Sequence, residues 1–460
     1  MDLSLLRSAR GLMPGHFLLR LHENRQWAVT CVKGNITRNT ASVSGGVCAG
    51  AFCGGSWGQA SSPDISAEGI RAVAAAASDN ASFLARRLPL PPSAAPAESA
   101  ALCRSHASGK PPATQKEKLD FLLSLDAYIA NKYPLLQSRT LALSAIDTEK
   151  HIVTSDGADS HTLVPRCHLY VWMTAEKDGQ PVELMAPTIG GLGAYEDFFS
   201  APEAFYEPID LHYNTVTEKS RGVRPDAGLK ECILSPDLAG ILAHEAVGHT
   251  VEADIVLGGS VAAGLLGRPV ASPLISMTDF AHTAFGQVCP VPVYADDEGV
   301  LARDAELIKD GVLTGYMHNR DTACKLEAEP LGNARAFAFS DEPLIRMRNT
   351  CIHPGKSPLS DMIASVEDGY LLSHPSNGQA DSTGEFMFGV EMGYEIKKGR
   401  LSRPILGTTV SGVAFDMLKT VSAVSDDLTW VSSGFCGKKQ PMSVGMGGPA
   451  ILCKLNVGGV

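Results

Sequence analysis

His244-Glu245-Ala246-Val247-Gly248-His249 sets two imidazoles five residues apart, with a carboxylate directly after the first. The widespread zinc-hydrolase signature His-Glu-x-x-His spaces them four apart, on one face of an α-helix. In a regular helix, positions four apart differ by roughly 40° around the axis and positions five apart by roughly 140°, so these two rings would diverge. A single π-type turn winds wide enough to return them to one face, and such turns occur often at functional sites. The spacing therefore predicts a distorted helix with its wide turn near Gly248. A straight helix through Glu245 and His249 would leave no shared metal site.

Upstream, Ser235-Pro236-Asp237 reads as the helix start: a hydroxyl to cap free amides, a proline whose missing N–H costs nothing there, and an acid facing the positive end. Leu238, Ile241, Leu242 and Val247 supply a buried stripe, which makes the segment a core helix of its domain. Downstream, Glu252 lies three residues past His249, in reach of a hydrogen bond to a ligand imidazole. Asp254 has no assigned role.

Catalytic zinc generally takes three protein ligands and leaves a fourth position for water. The third must come from elsewhere in a chain with thirteen histidines, eleven cysteines and many carboxylates. Ser433-Gly434-Phe435-Cys436-Gly437-Lys438 is the best local candidate. Flanking glycines let backbone approach closely, and a nearby lysine favours the thiolate that binds metal. With zinc in place, water would be acidified and a peptide carbonyl polarised, while Glu245 would take the proton as general base and pass it to the leaving amine. A lone histidine on an apolar helix is more often a satisfied core residue than a ligand, so the hexapeptide needs this wider context.

The run His244 to Asp254, the late Cys436-Gly437-Lys438 and Val444-Gly445-Met446-Gly447-Gly448-Pro449 together resemble the TldD/PmbA metallopeptidase family, specifically its TldD-type catalytic subunit. Further matches are Gly190 to Glu196, Asp310 to Met317 and Gly378 to Gly384, and the resemblance covers most of the chain. It implies zinc held by His244, His249 and Cys436, with Glu245 as the base. It also implies subunits that work in pairs, either a heterodimer with a PmbA-type subunit, which lacks the metal motif, or a homodimer. Here Lys438-Lys439-Gln440-Pro441 runs on directly, where the family usually has a glycine before the glutamine.

At 460 residues, 44% hydrophobic and 19% charged, the chain is long and apolar enough for two or three domains with substantial cores. Its scattered, odd-numbered cysteines include no C-x-x-C pair, only the loose Cys48 to Cys53 spacing, and read as reduced thiols in a cytoplasmic setting. Met1 to Leu21 is interrupted by Asp2, Arg7 and Arg10, so it lacks a secretory core, and no apolar run is long enough to span a membrane. A net charge of −11 argues against direct nucleic-acid binding, which needs cations to displace phosphate counterions.

The patterning predicts an α+β protein in two domains, residues 1–220 and a β-rich zinc-bearing metallopeptidase domain over 221–460, with antiparallel or mixed sheets and packed helices. Trp27 to Gly58 reads as short strands, and Ser66 to Arg87 as a helix with an alanine-rich face, ended by Leu88-Pro89-Leu90-Pro91-Pro92. Thr114 and Glu117 form a capping box ahead of Leu122, Leu125 and Ile129. Asp156-Gly157, Asp178-Gly179, Asp310-Gly311 and Lys398-Gly399 read as hairpin turns. Gly190 to Gly193 lacks the Walker lysine and reads as a flexible loop, and Lys438 with Lys439 as solvated loop charge.

The expected function is zinc-dependent hydrolysis of peptide bonds in peptides or unfolded polypeptide segments. One rival is a binding or regulatory protein whose zinc is structural, closed by a fourth protein ligand such as Cys453. Another is a zinc amidohydrolase for non-peptide substrates.

Overall fold

The structure, a computed structural model, describes residues 3–13, 15–87 and 97–458. The Leu88 to Pro92 helix stop lies outside them. The fold is α+β, and strands dominate it.

Residues 16–192 build an eight-stranded sheet. Its main path runs Ser56–Ser62, Asn35–Cys53, His16–Val32, Ser138–Thr154, Asp159–Lys177, Ala101–Ser105, and Gln180–Met185 and Ile189–Leu192 also pair with Asp159–Lys177. All pairings are antiparallel except that of Ala101–Ser105. Where the sequence predicts short pieces, the structure has two long strands joined at Lys33-Gly34, whose φ angles of 49° and 84° match a two-residue hairpin turn. Asp178-Gly179, Asp310-Gly311 and Lys398-Gly399 turn with both residues at positive φ, as their dipeptides predict. Gly190 to Gly193 is not a loose loop, because Ile189–Leu192 is a strand on Arg166 to Leu169.

Helix Ala67–Arg87 lays Ile70, Val73, Ala74, Ala77 and Ala81 on this sheet. Its alanine face has a steric reason: a Cβ on Gly58 would sit 2.1 Å from the Ala81 nitrogen, so helix and strand backbones nearly touch. Helix Gln115–Lys132 starts at the predicted box, with Thr114 accepting from the Glu117 amide and the Glu117 side chain accepting from Thr114. It packs Phe121, Leu122, Leu125 and Ile129 with helix Tyr206–Ser220 into one apolar core.

From Gly228 onward two further large sheets form, beside two small two-stranded ones. Gly228–Leu234, Ile451–Gly458, Thr408–Val413, Glu385–Lys397 and Asp368–Ala380 pair in sequence, and the last joins the first to close a barrel. A six-stranded sheet ends in Asn349–Ile352, Met442–Gly448 and, at its edge, Thr429–Cys436. The motif helix leaves strand Gly228–Leu234 at Pro236 and is wedged between these layers, with Leu238, Leu242 and Val247 in the largest core. Ser235 sits at the cap position, but its hydroxyl donates to the Asp237 carboxylate and caps no amide.

Candidate metal centre

The motif helix is an α-helix over Pro236–Leu242 that widens into a π-helix over Ala243–Gly248. The His249 amide donates to the His244 carbonyl, a step of five residues, and the two imidazoles end on one side with ring centres 5.1 Å apart. Five-residue spacing and wide winding thus match. Gly248 is present for a different reason from the expected one. Its backbone is helical, at φ −52° and ψ −49°, but a Cβ there would lie 2.0 Å from the Met347 Sδ. Gly248→Ala is therefore expected to overpack the helix against Met347 and lower stability by about 1–3 kcal/mol, checked by denaturant unfolding.

Cys436 reaches the same point from the far end of the chain. Strand Thr429–Cys436 ends beside the π-helix, and the Cys436 Sγ lies 3.4 Å from the His249 Nε2. One ligand atom each from His244, His249 and Cys436 falls within a set spanning no more than 4.8 Å. Ligands 2.0–2.3 Å from a tetrahedral zinc lie about 3.5 Å from one another, so the cluster has the right size. Both ring nitrogens of buried His244 lack a hydrogen-bond partner among the described residues, which fits a metal ligand.

The electrostatics fit the same group. Burial would raise the Cys436 thiol, but the imidazoles of His244 and His249 outweigh it and hold the group down at about 3, a thiolate. Burial disfavours charge on His249, yet Cys436 and Glu252 beside it raise its pKa to about 10. A thiolate beside two imidazoles is a donor set suited to a divalent cation, whose binding would displace the proton on His249.

Glu252 is fully buried and its Oε2 lies 2.9 Å from the His249 Nδ1. Its backbone is extended, at the N-cap of helix Ala253–Leu257. Lys438 is no solvated loop charge. Its Nζ lies 3.3 Å from the Glu252 Oε2 and 2.7 Å from the Asp254 Oδ2, which ties the cysteine loop to the histidine helix and gives Asp254 a role. Arg346, fully buried, donates to the carbonyls of Cys436, Lys438 and Gln440 at 2.8, 3.2 and 2.8 Å and so shapes that loop. Within it Lys439 adopts a φ of 56°, a left-handed conformation that favours glycine. No local signal marks Arg346 or the ion pairs of Lys438, because their partners are distant in sequence. Glu252→Gln is expected to weaken metal binding 10–100-fold while the fold persists, checked by competition with a chromogenic chelator.

Glu245 follows His244 on the π-turn, partly exposed, with its Oε2 3.8 Å from the His249 Nε2. Gly378, at a bulge in strand Asp368–Ala380, makes room for it: a Cβ there would sit 3.3 Å from the Glu245 Cγ. Glu245 and His244 line a cleft of about 560 Å³ together with Ile241, Trp430, Phe435 and Met446 and, from the first sheet's side, Met185 to Thr188. Strand Thr429–Cys436 borders this cleft, and beyond Met442–Gly448 it pairs with no other strand among the described residues. Cys453, the expected fourth ligand of a structural site, instead pairs with Cys232 across two barrel strands and lies outside the cluster. No disulfide joins any of the described cysteines. No helix among the described residues is long and apolar enough to cross a membrane.

Three family models match the chain: the PmbA/TldA metallopeptidase C-terminal domain over residues 228–459, domain 1 over 19–81 and the central domain over 110–211. The zinc metalloprotease TldD homolog of Saccharolobus solfataricus is 35% identical over 75% of this chain and 76% of its own length. The metalloprotease TldD homolog of Haemophilus influenzae is 30% identical, over 75% of this chain and 73% of its own. TldE from Thermococcus kodakarensis shares the fold at 17% identity, with a TM-score of 0.73 over 99% of both chains. A solved Thermotoga maritima structure does so at 19% identity and TM-score 0.79, over 99% of this chain and 98% of the other.

Proposed function

Because the chain belongs to the PmbA/TldD metallopeptidase family, we propose that it is a zinc-dependent peptidase acting on peptides or unfolded segments, with His244, His249 and Cys436 as ligands and Glu245 as general base. The observation that carries this reading is the three-donor cluster, with His244 lacking a hydrogen-bond partner among the described residues and the Glu245 carboxylate lining the adjoining cleft. Bound zinc supplies acidified water and a polarised carbonyl. Glu245 accepts the proton from that water on its carboxylate and returns it to the amine that leaves. Glu252 fixes the His249 tautomer by accepting from Nδ1, which turns Nε2 toward the cluster.

Three protein donors among the described residues leave room for water, which supports catalysis over a closed structural zinc. The edge strand supports a peptide substrate over a compact amide. An extended chain laid along Thr429–Cys436 would gain main-chain hydrogen bonds and place a carbonyl beside Cys436. An unfolded segment can enter the cleft as a single extended chain with its backbone groups unpaired, so unfolded segments fit best. Pairing with a PmbA-type or TldE-like subunit, or with a second copy of this chain, would further enclose the cleft.

The test is metal dependence. Zinc content near one per chain, loss of cleavage of an unfolded peptide after chelation, and recovery on adding zinc are expected. Full cleavage by verified metal-free protein would remove the proposal.

A further inference from the structure

Away from the metal cluster, the first sheet and the later strands enclose a second cavity, of about 80 Å³. Arg166, on strand Asp159–Lys177, lines it and is only 2% exposed. None of its Nε, Nη1 and Nη2 atoms has a hydrogen-bond partner among the described residues. Burial lowers its pKa to about 10, opposed only by the Tyr170 phenol. A guanidinium nevertheless stays charged in proteins, and an uncompensated buried charge is among the costliest groups a fold can hold.

Two more cations line the same cavity. Lys150 pairs with Asp297 at 2.6 Å and donates to the Ala336 carbonyl at 2.9 Å. Arg335 donates to the Met347 and Ser443 carbonyls at 2.6 and 2.9 Å. Asp297 is the one carboxylate of the lining, and Arg20 also faces it at 3.4 Å. Cationic charge is therefore in excess, and an anion would complete the site.

The remaining wall selects among anions. Ile146, Val164, Val293, Phe337 and Met442 are apolar; of the hydroxyl-bearing residues, Thr148 donates to Asn24 and the Tyr294 hydroxyl lies 3.1 Å from the His106 Nε2, which leaves Thr162 and Ser443. Phosphate needs donors around all its oxygens, whereas a carboxylate needs one forked donor and tolerates hydrocarbon elsewhere. We propose that this cavity binds a small carboxylate with a short hydrocarbon tail, its oxygens on the Arg166 guanidinium and its tail against Val164, Phe337 and Met442. A free short-chain acid and the C-terminal residue of a peptide both offer this chemistry. The lining includes none of His244, His249 and Cys436, so the proposal stands or falls independently of the peptidase reading.

Calorimetric titration of the full chain with isovalerate, isovaleramide, inorganic phosphate and N-acetyl-Ala-Ala-Val tests it. Isovalerate is expected to bind at one per chain, with the uncharged amide and phosphate at least tenfold weaker. Arg166→Met, similar in length and suited to burial, is expected to fold and to lose carboxylate binding. Tighter, Arg166-dependent binding of the peptide would support the site and assign a chain terminus as the source; equal or weaker binding would support it and assign a free acid. Val164→Phe leaves Arg166 in place and narrows the cavity, so isovalerate binding should fall at least tenfold there too. Absence of carboxylate binding, amide binding as tight as the acid, or unchanged binding in either variant would overturn the proposal.

Discussion

Glu245→Ala is expected to keep its metal and lose peptide cleavage, with kcat down by about 10²–10⁴-fold and KM little changed. The carboxylate lines the cleft, beside the His249 ring and outside the three-donor cluster. Its removal takes away the proton acceptor while His244, His249 and Cys436 stay in place. Stability should hold, because Glu245 is partly exposed and makes no buried ion pair that its loss would orphan. The two readouts must be taken together: zinc by elemental analysis and cleavage of an unfolded peptide under saturating substrate. A variant that holds zinc and cleaves as fast as the parent would show that another group moves the proton.

Cys436→Ser should have the opposite signature, losing metal first and activity as a consequence. Serine is close in shape and the Arg346 contact is to the Cys436 carbonyl, so the loop keeps its anchor. What goes is the thiolate that the two imidazoles stabilise. Zinc affinity should fall by more than the roughly 10–100-fold typical of losing a supporting partner. The rise in melting temperature that zinc gives the parent should vanish at the same free zinc concentration, since that rise depends on concentration relative to Kd. Excess zinc is expected to restore part of the activity. Unchanged affinity would take the sulfur out of the site.

The metal motif was readable because its signal is local. Five-residue spacing admits few helical solutions, and the π-turn over Ala243–Gly248 is the one that converges both rings. Turn dipeptides such as Asp310-Gly311 and the Thr114 to Glu117 box were readable on the same grounds. Strand Asn35–Cys53 was not: residues 35–44 are exposed, so Ser, Thr and Asn follow one another without the apolar alternation that marks a half-buried strand. Gly190 and Gly191 looked loose because glycine carries no packing signal, yet a Cβ on Gly190 would press to 2.2 Å from the Cys167 carbonyl oxygen. Lys438 and Arg346 acquire their roles only when distant segments meet at the cysteine loop. Barrel closure is equally non-local, since Gly228–Leu234 lies between strands that begin well over a hundred residues later.

X-ray absorption at the zinc edge, on zinc-loaded protein, tests the proposed centre most directly. The account predicts one sulfur at about 2.3 Å, two imidazole nitrogens at about 2.0–2.1 Å and one further light atom from solvent. Cys436→Ser loaded with excess zinc should lack the sulfur shell. Two sulfurs, or a sulfur shell that survives Cys436→Ser, would contradict it.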